Sequence, residues 1–307
     1  MVAFVDAHRR TYGVEPICAQ LPIAPSTYSA AKAVEAEPTR AAPRVQREAV
    51  LLPAIQQVWH AERRLYGARK IWKALHRQQV PVARCTVERL MRRAGLRGIV
   101  RGRRLRTTVP APVSERPQDL VQRDFRATQP NRLWVADFTY VSTWRGFVYV
   151  AFVIDVFAAR IVGWRVASAP RTDLALDALE HALHDRTPDA PLVHHSDRGV
   201  QYLAIRYTER LAEAGLVASV GRRGDAYYNA LAESVIGLYK TELTRHEGPW
   251  KGLEDVECAT PSWVHWYNTV RLHSALGYLP PAEYEAQYAG PSLAHLEPVG
   301  LNENSLR

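Results

Sequence analysis

Between Arg132 and Ser168 the apolar residues fall at alternate positions or in short unbroken runs: RLWVADFTYVST, GFVYVAFVIDVF and ARIVGWRVAS. A period of two in β-branched and aromatic segments predicts three strands joined by short turns, one of them at Arg145-Gly146. The period then lengthens. RTDLALDALEHALHD predicts an amphipathic helix with Thr172 as its cap, APLVHHSD a fourth strand, and QYLAIRYTERLAEAGL a helix stopped by Gly215. VASVGRRG predicts a short fifth strand and NALAESVIGLYKTEL a further helix. Three consecutive strands, then helix, strand, helix and strand, predict a mixed sheet flanked by helices.

Upstream the pattern is helical throughout. Leu51, Leu52, Ile55, Val58 and Trp59 mark one apolar face, Ala68, Ile71, Trp72 and Leu75 a second, and Val87, Leu90, Met91 and Ala94 a third. Tyr66-Gly67 and Pro81 break the run, and Gly95 ends it. Three short helices with a tight turn before the last predict a helix-turn-helix domain over 46–98. The outer face of its third helix presents Arg84, Cys85, Glu88, Arg89 and Arg92, so Arg84, Thr86, Arg89 and Arg92 are candidate DNA contacts. Residues 1–45 are expected to form a short helical start followed by an Ala/Pro-rich linker. Residues 99–130 read as a basic, proline-rich linker whose Arg101, Arg103 and Arg104 track phosphates. The sheet domain is expected over 131–245, with a C-terminal helical extension and tail over 246–307.

Charge sharpens this division. The net charge is +9, yet residues 40–106 alone hold 18 Lys and Arg against Glu48, Glu62 and Glu88. So localised an excess, with Trp59, Tyr66 and Trp72 interleaved, indicates a polyanion partner, most often nucleic acid. The most apolar stretch is broken by Asp155 and Arg160, and MVAFVDAHRRTYG meets charge too early for a secretory leader, so no membrane role is expected. Three scattered cysteines, Cys18, Cys85 and Cys258, imply reduced thiols, a cytoplasmic setting and no cysteine zinc site, and DNA as a partner implies nucleoid association within it. The chain has neither a phosphate-binding glycine loop nor a Gly-x-Ser-x-Gly turn, which argues against an ATP-driven motor and a serine hydrolase.

Three acids carry the candidate chemistry. Asp137 lies within the first strand, Asp197 ends the fourth, and Glu233 sits in a helix after a 35-residue interval. Asn229, Glu233, Gly237 and Lys240 share one helix side, with Leu231, Val235 and Leu238 expected on the core side. Converging carboxylates supply hard oxygen ligands for Mg²⁺ or Mn²⁺, and a pair of such ions suits phosphoryl transfer. His194 and His195 read as orienting groups, and Asp155 as the cap of the turn before Phe157. Arg198, Gln201 and Tyr202 either hold a substrate phosphate or cap the next helix. Lys240 either meets the DNA backbone or lies on a solvated face. Arg271 and His273 read as packing residues.

LWVADFTYV, HHSDRGVQY, NALAESVIGLYKTEL and WYNTVRLHSALGYLPPAEYE resemble the second-frame (OrfB) transposases of the insertion-sequence-three family, relatives of retroviral integrases. The resemblance runs over nearly the whole chain, including PICAQLPIAPSTY and RRLYGARKIWKALHRQQVPVARCTVERLMRRAGLRG. It implies an α/β, ribonuclease-H-like catalytic domain preceded by a small all-α helix-turn-helix domain. It also implies that Asp137, Asp197 and Glu233 are the catalytic, metal-binding triad, and that the reaction is cleavage and strand transfer at transposon ends. Arg198, Asn229 and Lys240 join the candidate DNA contacts. The resemblance makes the polyanion partner double-stranded DNA. A homo-oligomer on DNA is expected, with fusion to or association with an upstream-frame (OrfA-type) product. Two positions depart from the family pattern: Tyr228 replaces its usual acid, and Ala83 replaces the serine that commonly caps the recognition helix. The competing readings are a catalytically inactive DNA-binding regulator and a nuclease without strand transfer.

Overall fold

The computed structural model describes residues 1–100, 127–188, 191–196, 202, 204–220 and 230–288. The chain divides into two compact units, Met1–Ile99 and Val100–Arg307.

The first unit is all helical. Helices α1 (Val2–Tyr12), α2 (Val14–Gln20) and α3 (Pro25–Ala36) close around Val5, Ile17, Cys18 and Tyr28. The Tyr28 hydroxyl donates to Asp6 at 2.7 Å, and Lys32 reaches the other oxygen of Asp6 at 3.0 Å. Residues 1–45 are thus more ordered than the expected short helical start and linker: Lys32 to Ala36 continue α3, and Pro43 opens the next helix. That helix, α4 (Pro43–Ala61), packs with α5 (Ala68–Arg77) and α6 (Arg84–Arg93) in the expected three-helix arrangement. Leu51, Ile55, Val58, Ile71, Leu75, Val87, Leu90 and Met91 form its core, while Leu52 and Trp59 are only half-buried. The chain then doubles back. Ile99 donates to the Leu65 carbonyl, and Gly98 lies so close to Gly67 that a Cβ would stand 2.3 Å from its nitrogen.

The second unit holds a five-stranded sheet in the order β3-β2-β1-β4-β5. Strands β1 (Leu133–Thr143), β2 (Gly146–Asp155) and β3 (Arg160–Ala167) form an antiparallel meander. Strands β4 (Val193–Ser196) and β5 (Val217–Val220) add parallel to β1 through helical crossovers. This is the expected ribonuclease-H-like mixed sheet. Helices α7 (Thr172–Asp185) and α8 (Ile205–Glu213) cover one face, burying Trp134, Ala136, Val153, Leu174, Leu179 and Leu211. The approach of α7 is tight: a Cβ on Gly163 would lie 2.1 Å from the Ala178 carbonyl. Thr172 is the first residue of α7 rather than its cap, since Arg171 stands at the cap position.

The other face carries α9 (Ala230–Tyr239), a π-helical turn Lys240–Thr244 and α10 (Leu253–Thr269), followed by a short helix α11 (Pro281–Ala286). Phe152 of the sheet meets Tyr239 edge-on with ring centroids 5.1 Å apart, and Trp263 packs on both. Asn268 of α10 accepts from the Ile161 nitrogen at 3.0 Å and donates to its carbonyl at 2.8 Å, closing the outer edge of β3. Arg271 makes a two-pronged pair with Glu242 at 2.8 and 2.6 Å, both side chains only 7% exposed. Arg271 therefore packs, as expected, and His273 is buried beside it.

Candidate active site

Asp137 is set by the register of β1. It stands opposite Phe152 of β2, half-buried, and one carboxylate oxygen accepts the Phe138 amide at 2.8 Å. On its other side β1 pairs with β4 from Leu133↔Val193 to Ala136↔Ser196, so Asp137 is the residue that follows the paired segment. Helix α9 lies against β1 and brings Glu233, also half-buried, to the same side of the sheet. The core line of α9 is Ala232, Val235, Ile236 and Tyr239; Leu231 and Leu238 are only half-buried. The helix is therefore rotated from the expected stripe, which puts Glu233 at the border between core and solvent.

Lys240 follows Glu233 by two turns. Its ammonium lies 4.8 Å from the centroid of the Tyr140 ring and interacts electrostatically with Asp137. Burial, reinforced by Arg245, lowers its pKa, while the Asp137 carboxylate pulls the other way. Lys240 is thus part of the acidic neighbourhood rather than a fully solvated helix face.

Both histidines of β4 are buried, and each engages one ring nitrogen within the fold. His194 is fully buried with Nε2 3.1 Å from the Tyr207 hydroxyl; burial first, then its neighbour His195, lowers its pKa to about 4, so it is neutral. His195 pairs through Nδ1 with Ser219 at 2.9 Å. Asp155 accepts the Asn131 and Phe157 amides at 2.7 and 2.9 Å, the turn-capping role expected for it. Its burial raises its pKa, and the two amides oppose that shift. Tyr202 is buried against Tyr207, in the core rather than at a phosphate. Asp197, Arg198, Gln201, Tyr228, Asn229, Arg101, Arg103 and Arg104 lie outside the described residues.

The side chains present fit a divalent cation. Asp137 and Glu233, both half-buried, offer hard carboxylate oxygens. Oxygen donors of this kind suit Mg²⁺ or Mn²⁺. Among the described residues no three His, Cys, Asp or Glu side chains cluster by themselves.

On the helical unit, Arg84 pairs with Glu88 at 3.2 Å, and Ala83 stands at the start of α6 with no side-chain cap. Arg89 is turned inward onto the buried Glu48 at 2.6 Å, with Arg93 and Arg44 on the same carboxylate. These guanidinium groups, Arg89 foremost, lower the Glu48 pKa to about 2. Of the interleaved aromatics, Tyr66 is core, and Trp59 and Trp72 donate their indole N–H to the carbonyls of Arg97 and Val82. They hold the fold together, so the charge alone remains as the signature of a polyanion on this segment. Sequence reading missed an exposed trio, Tyr140, Trp144 and Phe147, around the β1–β2 turn. Its signal was three large rings at solvent-facing positions of TYVSTWRGF.

Comparison with known proteins places this geometry in a class. An integrase core domain matches residues 127–226, a second integrase core description matches 214–281, and an HTH-like domain matches 46–104. The integrase core is a metal-dependent domain, and with this fold it defines a DNA polynucleotidyl transferase of the transposase/integrase type. The transposase for insertion sequence element IS629 of Shigella sonnei is 51% identical over 288 residues, 94% of this chain and 96% of that protein. A Mycobacterium tuberculosis protein named for element IS986/IS6110 is 53% identical over 273 residues, 87% of this chain and 96% of its own length. The chain belongs to the insertion-sequence-three family of transposases. Among solved structures, the HTLV-2 integrase catalytic core domain in complex with magnesium aligns with a TM-score of 0.43 at 16% identity, over 52% of this chain and 99% of that one. No helix among the described residues is long and apolar enough to cross a membrane.

Proposed function

We propose that this transposase cuts the ends of its insertion sequence and joins them to target DNA by in-line phosphoryl transfer at Asp137, Asp197 and Glu233. The observation that carries this reading is the register of β1 with β4. Ser196 is paired with Ala136, and consecutive Cα atoms lie about 3.8 Å apart. The paired segment thus ends one residue short of each strand acid, and β1 is also the strand against which α9, the helix of Glu233, lies; the three carboxylates are proposed to meet there. Two bound Mg²⁺ or Mn²⁺ ions would supply positive charge for the attacking and leaving oxygens.

The protein's own part is placement. Asp137 is fixed by the Phe138 amide and by its pairing with Phe152 of β2, so its carboxylate needs little reordering when substrate arrives. Glu233 is held by a helix whose opposite side is locked into the Phe152–Tyr239–Trp263 cluster. Lys240 offers a cation to a phosphate beside Asp137. Water first attacks the phosphodiester at the element's end and leaves a 3′-hydroxyl, which then attacks a second phosphodiester in the same site. Neither attack needs a protein nucleophile. Arg84 and Arg92 on α6, with Arg101, Arg103 and Arg104, hold double-stranded DNA, and the working form is a homo-oligomer on DNA, fused to or associated with an upstream-frame product. The test is cutting and joining of labelled end-sequence DNA with Mg²⁺. Asp137→Asn or Glu233→Gln should lose both activities and keep DNA affinity. Continued nicking by either variant, or cutting without joined products in the parent protein, refutes the proposal.

A further inference from the structure

The β1–β2 turn carries a second feature. Trp144 is 70% exposed, Tyr140 57% and Phe147 55%, a concentration of exposed rings on a sheet whose other rings are buried or half-buried. Tyr140 and Phe147 meet edge-on with centroids 5.2 Å apart, and Lys240 sits on the Tyr140 ring.

The turn is rigid where an exposed loop need not be. Thr143 Oγ1 accepts the Arg145 amide at 3.2 Å and donates to the Gly146 carbonyl at 2.7 Å. The Trp144 amide donates to the Trp250 carbonyl at 3.0 Å, and Trp250 is itself buried and tied through its indole to Thr244. Arg145 packs over Gly252. A large indole is thus held out into solvent by a fixed backbone, the arrangement that lowers the ordering cost of binding a flat partner. The surroundings choose that partner. Lys240 lies on the Tyr140 ring and is itself within electrostatic reach of Arg245, Arg145 stands in the turn beside Trp144, and Lys251 follows Trp250, whose carbonyl the Trp144 amide meets. Cationic groups among exposed rings match a nucleic-acid strand whose bases are unpaired.

We propose that Trp144, with Tyr140 and Phe147, forms a stacking platform for unpaired bases of the DNA on which the acidic site acts. This rests on the reading of that site given above. Along β1, Tyr140 and Trp144 lie about 10 and 23 Å from Asp137. At about 3.4 Å per nucleotide, the platform holds bases roughly three to seven positions from the phosphate under attack.

The test compares full-length protein and its Trp144→Ala, Tyr140→Ala and Trp144→Phe variants in binding a single-stranded oligonucleotide and a duplex of equal length at one salt concentration. Each alanine variant should weaken single-strand binding on the order of 10-fold and leave duplex binding unchanged, and Trp144→Phe should keep most of the parent's single-strand affinity. Cross-links from iodouracil-substituted single strands should map to Trp144. Unchanged single-strand affinity, equal loss on both probes, or altered self-association of Trp144→Ala without DNA would overturn the proposal, the last by showing a protein contact. Asp137→Asn retains the platform and should bind single strands as the parent does. Failure of the catalytic reading is therefore seen in cutting assays alone, and failure of the platform in binding alone.

Discussion

Replacing Arg271 by methionine isolates the contact that fastens the segment after α10 to the catalytic unit. In the native chain the guanidinium gives two hydrogen bonds to Glu242, at 2.8 and 2.6 Å, and also lies 5.8 Å from the centroid of Tyr267. Both partners are almost wholly buried. Methionine fills much of the arginine stem's volume but leaves the carboxylate of Glu242 without its counter-charge. Stranding one member of a buried ion pair costs about 3–5 kcal/mol, because the remaining charge has neither water nor partner. Removing both members with apolar groups of similar size is close to neutral, since desolvation had offset most of their attraction. Arg271→Met should therefore destabilise by about 3–5 kcal/mol, and the double variant Arg271→Met, Glu242→Leu should return to within about 1–2 kcal/mol of the parent. Urea unfolding followed by tryptophan emission measures this, since six of the chain's eight tryptophans follow Ile99. With a slope of about 2–3 kcal/mol/M, the single variant's midpoint falls by about 1–2 M. A single variant within 1 kcal/mol of the parent, or a double variant no better than the single, refutes the account of this pair.

The pH dependence of the helical unit is set in part by Glu48, whose folded pKa is depressed to about 2 by Arg89, Arg44 and Arg93. A depressed carboxylate contributes stability above its unfolded pKa of about 4.3 and loses it as pH falls toward 2. Melting temperatures of Glu48→Gln should thus lie below the parent's at pH 7 and converge with them near pH 2. Arg92→Ala should weaken DNA binding and lower the slope of log affinity against log salt by about 1, whereas Arg89→Ala should first lower the melting temperature, because its guanidinium serves Glu48. Gly163→Ala forces a methyl group against the Ala178 carbonyl and should cost about 1–3 kcal/mol in urea unfolding. An unaffected midpoint would mean that α7 does not pack so closely on β3.

Much of the architecture was legible because the relevant forces are local. Alternation in LWVADFTYVST and the unbroken apolar run of FVYVAFVID set β1 and β2, and Asp155 announced itself as a cap by standing where a buried strand must turn. What escaped depends on contacts distant in sequence. The small core of α1–α3 comes from Val5 meeting Ile17 and Tyr28, and the Ala-rich stretch that resembles a linker is helical once Lys32 has Asp6 as a partner. Trp59 and Trp72 looked like nucleic-acid contacts by composition, yet each serves a carbonyl that another segment brings to it. The rotation of α9 was likewise invisible, since Leu231 and Leu238 are as apolar as the residues that won the core side. Arg271 and Glu242 are separated by 28 residues, and only the folded chain shows that each answers the other's charge.

The proposed convergence of the three acids is tested most directly by one assay on paired proteins: metal-dependent nicking of end-sequence DNA by the parent and by Asp137→Asn, with DNA affinity measured on the same preparations. The account expects Mg²⁺-dependent cuts from the parent, none from the variant, and equal affinity for both. Nicks of the same yield and position from the variant would contradict it.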